Sequence, residues 1–483
     1  MTAAGAGGRA PLSVLFATSE FMPLAKTGGL GDVSAALPAA LARLGVDVRV
    51  VLPAYPAVWR HRPAPRSLAR ARVGAFDVEL LETTAESGLP LVLVANGELF
   101  DRRGTPYQDE RGHDFADNAD RFGCFAHAIA WLAAGHTGAA PDIVHLNDWP
   151  TALAAALLAA HESRPRTVFS IHNLEYQGLF DRAAFDRLAL PERLWSPSGV
   201  EYYGGFSFIK AGLAFADAIT TVSATYAAEI QTPAGGFGLD GLLRARADRL
   251  VGIANGIDVA QWDPALDRCI AQRYSVDTLA QKTANRDALQ RELSLASPAQ
   301  PLFGIVSRLV HQKGMDLVLE LIDRLVALPA QLVVLGSGER ALEAGFAAAR
   351  RRHPSQIAFV PRFDEGLAHR IEAGADIFLM PSRFEPSGLN QMYSMRYGTV
   401  PIARRTGGLA DTIVPADAPD GTGFLFDEPS AAALWRAVEA AAATFADPPR
   451  WRALQRAGME RDFSWTRSAR AYLDLYRRVR EAR

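Results

Sequence analysis

The sequence predicts two doubly wound α/β domains with parallel sheets, and three observations predict it. Short apolar, strand-like runs alternate with helical segments along the whole chain, the pattern of parallel α/β domains. The alternation lapses in "NGIDVAQWDPALD" and restarts at residue 301. Glycine-rich turns follow several of the apolar runs, where a strand passes into a helix. Two such domains facing one another leave a cleft at the carboxyl ends of both sheets, a usual place for a ligand.

In chain order, the strand candidates of the first half are "SVLFATS", "VDVRVVLP", "FDVELLET", "PLVLVAN", "DIVHLND", "TVFSIHN", "AITTVS" and "RLVGIAN". The first of them runs into "KTGGLGDVSAALPAAL", residues 26 to 41, whose apolar spacing predicts a helix from Val33 onward. Gly28 and Gly29 therefore stand at a strand end, where glycine lets backbone N–H groups approach a phosphate or sugar. A loop that only needs positive φ angles is the plainer alternative. "TALAAALLAAH" is too short and alanine-rich to span a bilayer and reads as a buried helix. From residue 301 the candidates are "PLFGIVSRL", "QLVVLGSG", "IAFVPRF", "DIFLMPSR", "VPIARR" and "GFLFD". This places a first domain at 1–255, a linker or hinge at 256–264, and a second domain at 265–462. A final helix over 463–483 is expected to pack back on the first domain, and hinge closure is the default motion of such a pair.

Composition narrows the function classes. The chain has 483 residues, 49% of them hydrophobic, ordinary for a water-soluble protein of two domains. A net charge of −2 gives no reason to expect nucleic acid or an anionic membrane as partner. The two cysteines, Cys124 and Cys269, are far apart and in no ligand spacing, so neither a disulfide framework nor a metal site is expected. The start "MTAAGAGGRAPLSV" lacks a signal-peptide pattern, and a cytoplasmic location is expected.

The second half carries the sharper chemistry. "SRLVHQKG" brings Arg308 and Lys313 into a turn after a strand, where two cations could hold a diphosphate. Two solvated surface cations are the alternative. "PSRFEPSGLNQM" places Glu385 at another strand end, with the N–H groups of Gly388 and Leu389 opening a helix. A carboxylate there can accept sugar hydroxyls or offset charge at an anomeric carbon, or simply serve a helix dipole. Thr406–Leu409 repeats the letters TGGL of Thr27–Leu30, which would place a second set of backbone donors at the cleft.

Together "KTGGLGDV", "HLNDW", "SIHN", "EYQG", "FIKAGL", "GLDGLL", "NGID", "SRLVHQKG", "SRFEPSGLNQ" and "YGTVPIARRTGGLADT" stand in the order and spacing of bacterial glycogen synthases and plant starch synthases. The chain resembles that family over nearly its whole length. The resemblance implies two Rossmann-like domains in a GT-B fold and a retaining transferase that moves glucose from ADP-glucose to the non-reducing 4-hydroxyl end of an α-1,4-glucan such as glycogen.

It also implies residue roles. Lys26 stands beside the donor, with Gly28 and Gly29 close to its diphosphate or glucose. Arg308 and Lys313 neutralise the diphosphate, and Glu385 faces the glucose beside Ser387. His172 and Asp148 line the sugar and acceptor side, Asn255 lies at the hinge, and Phe363 stacks on adenine. No cofactor is implied, and without a D-x-D motif no metal is required. Ser387 and Asn390 depart from the cysteine and threonine common at those positions, and Tyr393 replaces a second glutamate found in broader GT-B transferases. Read alone, His172 could be a satisfied structural histidine, Asp148 a helix cap, Lys210 a surface lysine, and Tyr202 and Tyr203 packing residues. A related transferase or phosphorylase, or a silent glucan-binding protein, remain the competing functions.

Overall fold

The computed structural model describes residues 11–482 except 62, 297–300 and 329. The chain divides into two compact units. One holds the described residues through Val222 together with Ala227–Asn255 and the segment from Trp465; the other holds Ser223–Tyr226 and Gly256–Ser464.

The strands of the first unit are β1 (Ser13–Ala17), β2 (Asp47–Pro53), β3 (Arg66–Val73), β4 (Phe76–Thr84), β5 (Pro90–Ala95), β6 (Ile143–Asn147), β7 (Arg166–Ile171), β8 (Leu179–Phe180), β9 (Glu201–Tyr202), β10 (Gly205–Ser207), β11 (Ala218–Thr221) and β12 (Leu250–Gly252). Nine of them form one sheet in the order β12-β11-β7-β6-β1-β2-β5-β4-β3, and β8, β10 and β9 form a small antiparallel sheet. At the centre, β1 pairs in parallel with β2 and β6, with Phe16 beside Val50 and His145. These strands are continuous apolar runs because both of their faces are covered.

The sheet is not parallel throughout. β3 and β4 add to it antiparallel at one edge. β3, with the sequence RSLARARV, is absent from the sequence-based strand candidates because it buries little; its arginines instead pair across to β4, as Arg66 does with Glu82 at 2.8 Å. Charge on an edge strand also discourages pairing with a second chain. The helix after β1 starts at Gly29, one turn earlier than the apolar spacing predicts.

The helix Trp465–Glu481 belongs to the first unit, where Tyr472 and Tyr476 are fully buried. Its apolar face joins the core of that unit through Trp465, Ala469, Leu473, Leu475 and Val479, and a polar contact adds to it: His145 Nδ1 lies 2.6 Å from the Tyr476 hydroxyl, and Nε2 lies 2.6 Å from Ser170 Oγ on β7. Burial pushes the His145 pKa down to about 3, with His172 adding a smaller push in the same direction. The imidazole is therefore neutral and one ring nitrogen donates while the other accepts.

The second unit holds β13 (Leu302–Val306), β14 (Gln331–Leu335), β15 (Ile357–Val360), β16 (Ile377–Met380), β17 (Val400–Arg404) and β18 (Phe424–Phe426), all parallel, in the order β15-β14-β13-β16-β17-β18. Hydrophobic clusters cover both faces. The stretch 256–264, expected as a linker, is folded into this unit. Ile257 donates its N–H to Phe463 O at 2.8 Å, and Trp262 is stacked between His369, at 3.8 Å, and Tyr393, at 3.9 Å. Its lack of periodicity has a local cause: Asp258 Oδ1 accepts from the N–H groups of Ala260 and Gln261, a side-chain turn in place of regular structure.

Candidate active site

In the second unit, the adjacent strands β13 and β16 deliver the two motifs to the same place. Gly314 adopts φ 68°, and a Cβ there would lie 2.1 Å from Pro381 O, so only glycine lets the "HQKG" turn come this close to the end of β16. Arg383 stitches the two loops. Its guanidinium donates to both oxygens of Asp316, at 2.7 and 2.6 Å, and to His311 O at 2.7 Å. The consequence is a contact between two predicted site residues: Lys313 Nζ lies 2.5 Å from Glu385 Oε2. Ser382 Oγ donates to the same oxygen at 2.9 Å, and Glu385 is only 5% exposed.

The second TGGL motif does not act as expected. The Gly408 N–H donates to Glu385 O and Pro386 O, both at 3.1 Å. A Cβ on Gly408 would lie 2.0 Å from Ser387 O, and one on Gly407 would lie 2.0 Å from Glu385 O. These glycines are needed so that the loop carrying Glu385 can rest on them, and the Gly408 N–H is already spent. Ser387 is half-buried beside Gly388, which has φ 64°; the helix then begins at Asn390, with Leu389 as its N-cap. Asn390 donates to Val306 O at 2.5 Å and so ties this helix to the end of β13. Arg308 is exposed beyond β13, and Phe363 is 70% exposed just before the helix Glu365–Gly374.

In the first unit, Asp148 follows β6 with φ 55°, a conformation that costs energy outside glycine and recurs at functional sites. It occupies the N-cap position of the helix Trp149–Ala159, yet its side chain makes no cap bond. Oδ1 instead accepts from the N–H groups of His172, at 2.7 Å, and Asn173, at 3.3 Å, bridging the ends of β6 and β7. Burial raises its pKa to about 7 against the lowering effect of those two N–H groups. Asn147 donates to Ala17 O at 2.9 Å, which turns its Oδ1 toward His172 Nε2, also at 2.9 Å. Burial lowers the His172 pKa to about 4, so the ring is neutral, Nε2 carries the hydrogen and Nδ1 is left as an acceptor.

Lys26 pairs with Asp32 of the following helix at 2.8 Å. The N–H groups of Thr27 and Gly28 donate to Glu20 Oε2 at 2.7 and 3.1 Å, so of the two glycines expected near the donor, Gly28 has its N–H already engaged within the protein. Gly28 has φ −148° and a Cβ there would meet nothing within 4 Å. The fold itself does not require glycine at 28; what glycine leaves there is open space. Gly29 is the first residue of the helix, and Asn255, 9% exposed, ends the Ala227–Asn255 segment. Lys210 is not a surface lysine: it is buried and its ammonium donates to Pro197 O and Glu201 O.

Sequence reasoning missed Glu20, Tyr107, Asn147 and Ser382. Glu20 had a readable signal, an acidic residue directly after an apolar strand. Among the described residues, one group could hold a metal by proximity, Asp267, Cys269 and His369. Asp267 is already satisfied there by Cys269 N–H, His369 Nδ1 and the Tyr397 hydroxyl, at 2.7, 2.7 and 2.6 Å. Among the described residues no helix is long and apolar enough to cross a membrane.

Comparison with known proteins fits this geometry. A family profile for the starch synthase catalytic domain matches residues 13–245, and one for glycosyl transferases group 1 matches residues 288–449. The chain is 52% identical to a glycogen synthase of Thioalkalivibrio sulfidiphilus, covering 96% of this chain and 99% of that protein. It is 50% identical to a glycogen synthase of Dechloromonas aromatica, with 96% and 98% covered. Among solved structures it is similar to the catalytic domain of starch synthase IV from Arabidopsis thaliana bound to ADP and acarbose, with TM-score 0.89, 33% identity, and 98% of this chain and 100% of that one covered.

Proposed function

Because this chain belongs to the bacterial glycogen synthase family, we propose that its donor is ADP-glucose and its acceptor the non-reducing 4-hydroxyl end of an α-1,4-glucan. It is a glycosyltransferase of the GT-B fold. The observation that carries the site reading is the pair formed by Lys313 and the buried Glu385 at the ends of adjacent strands.

The chemistry follows from charge. As the bond between the anomeric carbon and the diphosphate breaks, negative charge grows on the leaving phosphate and positive charge on the sugar. Lys313 and Arg308 answer the first, and Glu385 the second. Glu385 Oε2 already accepts from Lys313 and Ser382, which blunts it as a nucleophile. Front-face attack therefore fits better than double displacement: the acceptor oxygen bonds the anomeric carbon as ADP departs, and its proton passes to the leaving phosphate. Asp148 and neutral His172 offer acceptors for sugar hydroxyls, and Lys26 adds a cation beside the open space at Gly28. Phe363, exposed and planar, is suited to stack on adenine, while Ser387, Gly388 and Leu389 shape the loop beside Glu385. No cofactor is called for, and the reaction is placed in the cytoplasm.

Incubation with glycogen and labelled ADP-glucose or UDP-glucose tests the reading. Incorporation from ADP-glucose in clear preference is expected; incorporation only from UDP-glucose, or none from either, would overturn it.

A further inference from the structure

Glu20 is 4% exposed, lies three residues past the end of β1, and has no part in the chemistry above. Its two oxygens are both engaged. Oε2 accepts from Thr27 and Gly28 N–H, and Oε1 accepts from the Tyr107 hydroxyl at 2.9 Å. Tyr107 spends its one hydroxyl hydrogen on Glu20, so Ser19 Oγ, 2.8 Å away, must donate to Tyr107. The Glu20 backbone is held too, with its carbonyl accepting from Thr18 Oγ1 at 2.9 Å. The Tyr107 ring in turn packs at 6.1 Å from the ring of Trp149, the residue after Asp148.

We propose that Glu20 is a positioning residue that presets the Lys26–Gly29 loop for the sugar nucleotide, fastening it through Tyr107 to the strand end that carries Asp148. The proposal rests on the donor reading given above. The loop is short, and at Gly28 a Cβ would meet nothing within 4 Å, so no neighbouring atom supports the backbone from that side. A buried carboxylate that grips two successive N–H groups fixes both the height and the tilt of that backbone, so the cost of ordering the loop is met before the donor arrives. This also accounts for the two orphan N–H groups ahead of the helix: they are occupied by the protein, and glycine at 28 serves close approach of the ligand.

The test uses E20Q, E20A and Y107F in the full chain. Glutamine at 20 keeps the shape, but its single acceptor oxygen cannot serve both the loop N–H groups and the Tyr107 hydroxyl, so E20Q breaks the link between them and keeps the proposal testable where E20A fails to fold. For E20Q, kcat/KM for ADP-glucose is expected to fall by about tenfold or more, a misplacement effect, with KM for glycogen changed by less than about twofold. Y107F is expected to lose less, and E20Q/Y107F to be little worse than E20Q alone, because the two side chains act through one contact. Trypsin should cleave after Lys26 faster in E20Q than in wild type. A folded E20Q with wild-type kcat and KM for ADP-glucose, or a loss confined to thermal stability, would overturn the proposal. ADP affinity measured by calorimetry separates the two readings. Wild type that binds ADP but transfers no glucose defeats the activity, whereas equal ADP affinity and equal trypsin sensitivity in E20Q and wild type defeat the positioning role.

Discussion

Removing Lys313 should have two consequences that a second substitution separates. Its ammonium lies 2.5 Å from Glu385 Oε2, with side chains 19% and 7% exposed. Lys313→Ala therefore strands a buried carboxylate with Ser382 as its remaining side-chain donor, and breaking such a pair from one side costs about 3 kcal/mol of stability. Glu385→Gln in the same chain removes the stranded charge, so K313A/E385Q should recover about 1–2 kcal/mol relative to the sum of the single losses. Turnover should behave differently. Loss of one charged donor from a developing phosphate costs about 3 kcal/mol in the barrier, roughly a hundredfold in kcat. Neutralising Glu385 cannot replace that donor, and the double variant should be no faster than K313A. Urea unfolding gives the first quantity, and glucose incorporation from ADP-glucose into glycogen gives the second. Turnover within about threefold of wild type in K313A would refute the phosphate role, since the expected loss is far larger. Strictly additive stabilities would refute the energetic coupling of the pair.

The remaining predictions concern glycines and titrating groups. Gly28→Ala should change stability by less than about 1 kcal/mol, since its φ is negative and a Cβ meets nothing, yet raise KM for ADP-glucose. Gly408→Ala should cost at least about 2 kcal/mol in urea unfolding, because its Cβ would sit 2.0 Å from Ser387 O. With Asp148 titrating at about 7, kcat/KM should rise through neutral pH as the carboxylate ionises, and Asp148→Asn should abolish that limb of the profile. His145, held down to about 3, refuses protons that the unfolded chain accepts below its ordinary value. Its contribution to stability is complete above about pH 6.5 and is lost as pH falls toward 3, so the stability slope between about pH 4 and 6 should be steeper in wild type than in His145→Gln by about 1.4 kcal/mol per pH unit.

What was legible in the sequence follows from how each feature is encoded. The central strands stand out because a parallel strand buried on both faces is an unbroken apolar run. β3 does not, since an edge strand that pairs its arginines with acids on β4 carries no such run. Residues 256–264 look like a linker because side-chain turns at Asp258 and a stacked Trp262 hold them without periodicity. Lys313 and Glu385 were each recognisable in a strand-end motif, but their contact depends on β13 and β16 being neighbours and on Gly314 permitting the approach. Glu20 and Tyr107 are 87 residues apart, and no local pattern joins them. The two TGGL motifs are the sharpest case. The same letters leave open space at Gly28 and resolve a backbone collision at Gly408, and only the surrounding chain distinguishes the two.

The linkage the enzyme makes reports on retaining transfer of glucose to the 4-hydroxyl end of a glucan. Glycogen extended with ADP-[14C]glucose should be digested with β-amylase, which cuts only α-1,4 bonds from non-reducing ends. The label should be released as maltose. Label that stays in the resistant core, or glycogen that acquires no label while free ADP and glucose accumulate, would contradict it.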